Sequence, residues 1–207
     1  MSIIPDAEFE LLPPENNGFS IAMFGSTRSG KSTALGVILQ RYFKDHIGVL
    51  MTNSPQAPVY KNIKEVAQSP TFIPRIVRDM AEINKQTNNK YNFLACLDDV
   101  VTNVKYDKEI LKLLCIYRNS NVSTIICAQA VTLMSPAGRT NINNVLMFKL
   151  NTDSEIEKVI KSYLNSWFPK GMTMQDKILW YRLNTENHHF IVLDTLNNRV
   201  FRTKIKL

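Results

Sequence analysis

The sequence offers nothing that would hold it in a bilayer: no apolar run approaches the ~20 residues needed to span one. It also lacks a secretory start. The first basic residue is Arg28, and the leading segment carries Asp6, Glu8, Glu10 and Glu15, whereas a signal peptide needs a positive start followed by an apolar stretch. Cysteine is scarce. Cys96, Cys115 and Cys127 are odd in number, sit among Leu, Ile and Ala, and form no Cys-x-x-Cys pair. That argues against a thiolate metal cluster and reads as buried free thiols in a reducing compartment. The neighbours His188 and His189 would point to opposite faces of a strand, so they cannot chelate together. There is no internal repeat and no low-complexity tract.

What is present is ordinary globular material. The 207 residues are 44% hydrophobic and 21% charged, which excludes a disordered chain and is enough for one domain with a small appendage. Lys and Arg number 25 against 18 Asp and Glu, a formal net charge of +7. That balance permits a polyanionic partner without demanding one.

Apolar runs and helical periodicities alternate along the chain. Strands are expected at Phe19–Phe24, His46–Thr52, Tyr91–Leu97, Val122–Ala128 and Val145–Leu150. Helices are expected at Ser32–Phe43, Pro74–Gln86, Asp107–Tyr117 and Ser154–Leu164, with a short helix or loop over Val131–Asn141. The strands show too little alternation for a half-exposed sheet, so the fold class is α/β with a parallel sheet covered on both faces. Residues 1–17 read as an N-terminal arm and 18–165 as the core. Residues 166–207 read as an antiparallel meander packed on the core, with strands at Ile178–Leu183, Phe190–Asp194 and Arg199–Ile205, the whole forming a single domain.

In such sheets ligands sit at the carboxyl ends of the strands. After the first strand stands Gly25-Ser26-Thr27-Arg28-Ser29-Gly30-Lys31-Ser32, the G-x-x-x-x-G-K-[ST] P-loop, followed by Thr33. Its glycines let successive N–H groups point into one concavity at a helix N-terminus, where phosphate oxygens bind. Lys31 would reach the β and γ phosphates, and Ser32 would ligate Mg²⁺. Arg28 is either solvated or in contact with nucleotide. The third strand ends in Asp98-Asp99. Downstream of a P-loop, Asp98 would hold Mg²⁺ and Asp99 would act as general base on water, a pairing that suits hydrolysis better than transfer. Gln129, after the fourth strand, can bond both the γ phosphate and the water.

Arg118 and Arg139 precede the fourth and fifth strands. Each is either an arginine finger, acting on a neighbouring subunit's site, or a helix cap or surface ion pair. Arg75 and Arg78 share an exposed helix face. Arg199, Arg202, Lys204 and Lys206 cluster in the last hairpin, as either a phosphate-contacting ridge or a charged edge that blocks aggregation. Trp167-Phe168 and Trp180-Tyr181 read as core or subunit contact.

GSTRSGKS, FLACLDD and YRNSNVSTIICAQ together resemble the FtsK–HerA superfamily of DNA-pumping ATPases. The likeness is strongest to its viral branch, the genome-packaging ATPases of poxviruses and membrane-containing icosahedral viruses. The small size and lack of other domains also look like that branch, and within it the chain resembles the type found in turreted icosahedral archaeal viruses. The resemblance covers roughly residues 18–150.

It implies a RecA-like core of strand order 5-1-4-3-2, ATP and Mg²⁺ as ligands, a hexameric ring, double-stranded DNA through the pore, and capsid-vertex or membrane proteins as partners. It also implies residence in the host cytoplasm during infection, or on the virion at the packaging vertex. By the same resemblance Lys31, Asp99, Gln129, Arg118 and Arg139 are catalytic, with Asp99 standing where many relatives have Glu. The alternatives are a cellular-type DNA pump or helicase-like ATPase, a nucleotide switch, or a small-molecule kinase. The kinase lacks an arginine-rich lid, and the guanine-reading Asn-Lys-x-Asp motif is only approached, at Asn103-Val104-Lys105-Tyr106-Asp107.

Overall fold

Six strands run parallel. They are β1 (Ser20–Phe24), β2 (Ile47–Thr52), β3 (Val66–Ser69), β4 (Phe93–Asp98), β5 (Val122–Ala128) and β6 (Asn144–Met147). A hairpin, β7 (Phe190–Asp194) and β8 (Arg199–Thr203), then adds two antiparallel strands to the β6 edge. The order is β3-β2-β4-β5-β1-β6-β7-β8. The five strands expected from sequence keep their expected order within it. β3, from a stretch of mixed composition, and the hairpin extend the sheet at its two ends. The computed structural model describes residues 3–10, 17–53, 66–100, 107–131 and 135–205. Lys206 and the Asn103–Tyr106 segment lie outside them.

Both faces are covered, which is why the strands read as unbroken apolar runs. On one face α1 (Lys31–Tyr42) packs Leu35 and Ile38 against Ile21, Met23, Ile125 and Cys127. On the other, α2 (Pro74–Gln86), α3 (Asp107–Cys115) and α5 (Asp153–Val159) pack Val77, Ile110, Leu114 and Ile156 near Ala22, Phe24, Ala95 and Ile126. Each fully buried large side chain there contributes about 1.5–3 kcal/mol. α4 (Pro136–Arg139) is a single turn capped by Ser135. No helix among the described residues is long and apolar enough to cross a membrane. All three cysteines are free, and Cys96 and Cys127 are buried. Burial, with the Asp98 carboxylate nearby, holds both of those thiols well above the ordinary range.

The C-terminal part corrects three expectations. Ile178–Leu183 is not a strand but lies in α6 (Met174–Asn184). Its run of Ile-Leu-Trp-Tyr-Arg-Leu fits either period. The helix wins because the Thr173 side chain caps the Asp176 N–H at 3.1 Å, and because Met174, Ile178 and Tyr181 then fall on one inward stripe. The meander is therefore a single hairpin. His188 and His189 are not in a strand either. They belong to the turn before β7, where Asn187 and His188 take positive φ.

The basic hairpin is also not an open ridge. Arg199 pairs with Asp194 at 2.8 Å, and Arg202 pairs with Asp6. Asp6 sits in the N-terminal arm, which lies along β8 through Ala7 N–H to Arg202 O and Arg202 N–H to Pro5 O. The arm also buries Phe9 between Tyr42 and Phe190. Trp167 is exposed and the Phe168 ring meets Trp180 edge-on, while Tyr181 is fully buried.

The Tyr181 hydroxyl donates to the buried Phe148 carbonyl at 2.7 Å. Tyr181→Phe keeps the ring and strips that carbonyl of its donor, so it should lower stability by about 1–3 kcal/mol. Chemical denaturation checks this, and a loss below about 0.5 kcal/mol would mean that the bond is replaced.

Candidate nucleotide site

The sheet register assembles the site. Phe24 pairs with Ala128, Asp98 with Cys127, and Thr52 with Asp98. Gly25, Gln129, Asp99 and Asn53 therefore leave the sheet at one edge, the carboxyl edge of four adjacent strands.

The loop from Gly25 to Gly30 turns β1 into α1. Gly25 has no room for a side chain: a Cβ would stand 2.6 Å from the Phe148 Cβ and 2.7 Å from Ser29 Oγ. Gly30 precedes the helix at φ 95°, a left-handed value that glycine takes at little cost. The loop is stapled to the segment after β6. The Ser26 N–H donates to the Lys149 carbonyl, and the Asn151 N–H donates to Ser26 Oγ, each at 3.0 Å. Ser26, expected to face nucleotide, thus spends its side chain on the loop's own shape. Thr27 and Arg28 are exposed at the tip, with Arg28 at φ 62°. Lys31 is 7% exposed and folds its ammonium back onto the carbonyls of Gly25 and Ser26. Ser32 and Thr33 open the helix with exposed side chains.

Asp98 closes β4 and is buried, with the Thr52 hydroxyl 3.4 Å from its Oδ2. Asp99 turns out of the sheet at φ 53°. Its N–H donates to Cys127 O at 3.1 Å, and its carbonyl accepts from Asn53 Nδ2 at 3.0 Å. Gln129 is exposed beside it, beyond the end of β5. Thr52 and Asn53 were not singled out from the sequence. They carry no motif, and only the β2–β4 register sets them beside the acids.

The donor set suits Mg²⁺, a hard cation that keeps several waters and needs few protein ligands. Ser32 Oγ and an Asp98 carboxylate oxygen would hold it. No cluster of three or more His, Cys, Asp or Glu is found among the described residues, so a metal cage built by the protein alone has no support there.

One of the two arginines is not brought to this edge. Arg118 lies in the tight turn Tyr117–Ser120 ahead of β5. β5 is seven residues long, so roughly 20 Å separates Arg118 from Gln129. Its guanidinium approaches the Asn141 carbonyl at 3.5 Å, and its own carbonyl accepts from Gly18 N–H at 2.8 Å. Arg139 ends α4, before β6, and donates to Ser162 Oγ at 3.3 Å. The neighbouring Tyr163 ring lies tilted against Phe24 and has a buried hydroxyl without a described partner, its phenol pushed up by burial.

No protein-family model matches the chain. An uncharacterized protein, 015R of Frog virus 3 (isolate Goorha), is 28% identical over 184 residues, which cover 79% of this chain and 56% of that protein. The chain thus spans little more than half of that relative's length. The genome packaging NTPase B204 of Sulfolobus turreted icosahedral virus 2, solved with AMPPCP, superposes at a TM-score of 0.64 and 14% identity over 93% of this chain and all of that one. The EssC ATPases 2 and 3 of Geobacillus thermodenitrificans give 0.62 at 14% identity over 91% of this chain and 39% of theirs. The pCW3 conjugation coupling protein TcpA gives 0.63 at 13% identity, over 90% and 60%. What this chain shares with them is the fold, the mainly parallel α/β sheet of P-loop ATPases.

Proposed function

We propose that this chain is an ATP-hydrolysing motor that moves double-stranded DNA, and that its setting is the packaging of a viral genome. The observation that carries the reading is the convergence of the P-loop, the Asp98–Asp99 doublet and Gln129 on one sheet edge. A viral relative and a packaging NTPase matched over its whole length support the viral setting over a cellular pump.

In this reading the loop amides and the N-terminus of α1 bind the triphosphate, and Lys31 leaves the Gly25 and Ser26 carbonyls for the β and γ phosphates. Ser32 and Asp98 would hold Mg²⁺, whose charge would offset that of the phosphates. Gln129 orients a water in line with the γ phosphorus, and Asp99 accepts its proton. The new P–O bond forms as the bond to the β-phosphate oxygen breaks, leaving ADP and inorganic phosphate. Arg118 stands at the far end of β5 from its own P-loop, so it would act on a neighbour's, and Arg139 is given the same role in our reading, which calls for a ring; six subunits is our reading. A charge of +7 per chain, repeated around that ring, gives a sequence-independent field for phosphate. A capsid-vertex or membrane protein would anchor it, in the host cytoplasm or on the virion.

The decisive measurement is ATPase rate with and without double-stranded DNA, read beside particle mass. DNA should stimulate turnover in a species of ring mass, and slow turnover indifferent to DNA would instead favour a nucleotide switch. Lys31→Ala should abolish turnover. Asp99→Asn should still bind ATP but lose about 10²–10⁴-fold in kcat; full turnover would remove Asp99 as the base.

Mixing variants tests the arginines. Chains carrying Arg118→Ala, or Arg139→Ala, should regain partial activity when mixed with Lys31→Ala chains, since each supplies what the other lacks at a shared interface. No recovery with either would end the trans assignment.

A further inference from the structure

The proposal that Asp99 is the base leaves open what aims it. In an extended strand consecutive side chains point to opposite faces, so Asp98 and Asp99 would diverge if β4 simply continued. The left-handed φ of 53° at Asp99 breaks that alternation. A non-glycine residue takes such a φ at an energetic cost, somewhat less for Asp, so something must hold it. Two hydrogen bonds do. The Asp99 N–H donates to the Cys127 carbonyl at 3.1 Å, continuing the β4–β5 ladder with backbone alone. The Asp99 carbonyl accepts from Asn53 Nδ2 at 3.0 Å, and that bond depends on one side chain.

Asn53 is exposed at the end of β2, one residue beyond Thr52, whose hydroxyl reaches Asp98 at 3.4 Å. The end of β2 thus gives one polar group to each acid of the doublet.

We propose that Asn53 is a positioning residue: by fixing the Asp99 carbonyl it sets the backbone rotation that directs the Asp99 carboxylate at the attacking water. Asn53 acts through Asp99 and not on phosphate. Its removal should therefore slow the chemical step and spare nucleotide binding.

The test compares Asn53→Ala with the full chain, in a wild-type and in an Asp99→Asn background. Misplacement of a reacting group by about 1 Å costs up to ~10²-fold in rate. Asn53→Ala should lower kcat about 10- to 100-fold while KM for ATP stays within about twofold. Affinity for a fluorescent ATP analogue and the unfolding midpoint should both stay at the wild-type value. Asn53→Asp, which keeps the shape and loses the donor, should fall with it. In the Asp99→Asn background, Asn53→Ala should have no further effect on the residual rate.

Three results would overturn the inference: wild-type turnover in Asn53→Ala; a rate loss matched by lost analogue affinity or a lowered midpoint; or an equal loss with and without Asp99. If Asp99→Asn itself turns over normally, the base assignment fails first and takes the inference with it.

Discussion

The site depends on strand register more than on any single contact. β1, β5, β4 and β2 are not consecutive in the chain, yet Phe24, Ala128, Asp98 and Thr52 end side by side. A slip of one residue in β4 would turn Asp98 to the other face of the sheet and exchange the apolar sets packed on the two faces. Since both faces are buried, that slip forfeits packing on each. The same burial that stabilises the fold therefore fixes the separation between the phosphate loop and the acids. Hydrophobic burial has no direction of its own, but alternation along a strand gives it one.

The C-terminal third, which lies beyond the reach of the P-loop motifs, buttresses the loop. Ser26 is bonded to the backbone on either side of Leu150, and Gly25 lies against Phe148, whose carbonyl is held by Tyr181 of α6. α5 then starts from a reciprocal cap between Thr152 and Glu155, and Arg182 of α6 pairs with Asp153 at its first turn. The rim pair, being exposed, contributes little. The buried bonds to Ser26 and Phe148 set where the loop can be. This is why a chain with its motifs crowded into the first 130 residues still needs α6 and the hairpin near the site.

Much of this was legible in sequence because it is local. Val122–Ala128 and Pro74–Gln86 have the bounds expected of them, since a buried strand is a continuous apolar run and a helix opening on Pro is marked at its first residue. The P-loop is local too, as is the doublet. What could not be read is made by contacts between distant segments. Asn53 is an ordinary polar residue until β2 lies beside β4. The arm looked like a loop because its anchor, Arg202, is almost two hundred residues away. α6 was missed for a different reason: six residues of mixed character fit a period of 2 or of 3.6, and the deciding signal was the Thr173 cap upstream.

Charge is the last constraint. Of the four basic residues of the final hairpin, Arg199 and Arg202 are paired with Asp194 and Asp6, so half of that cluster is met within the chain. The exposed pairs Arg75–Asp79, Lys112–Glu109 and Lys161–Glu157 cancel further charge locally. The net +7 already counts both partners of each pair, so these pairs leave it unchanged. The field of such a charge decays within roughly a Debye length of about 8–10 Å and grips a polyanion weakly from one chain. Several chains around a common axis place such fields within one Debye length of the same phosphates. Arg118 is consistent with the same proposal, since it lies at the far end of β5 from its own phosphate loop. Under the proposed function, assembly is therefore what would complete both the chemistry and the electrostatics.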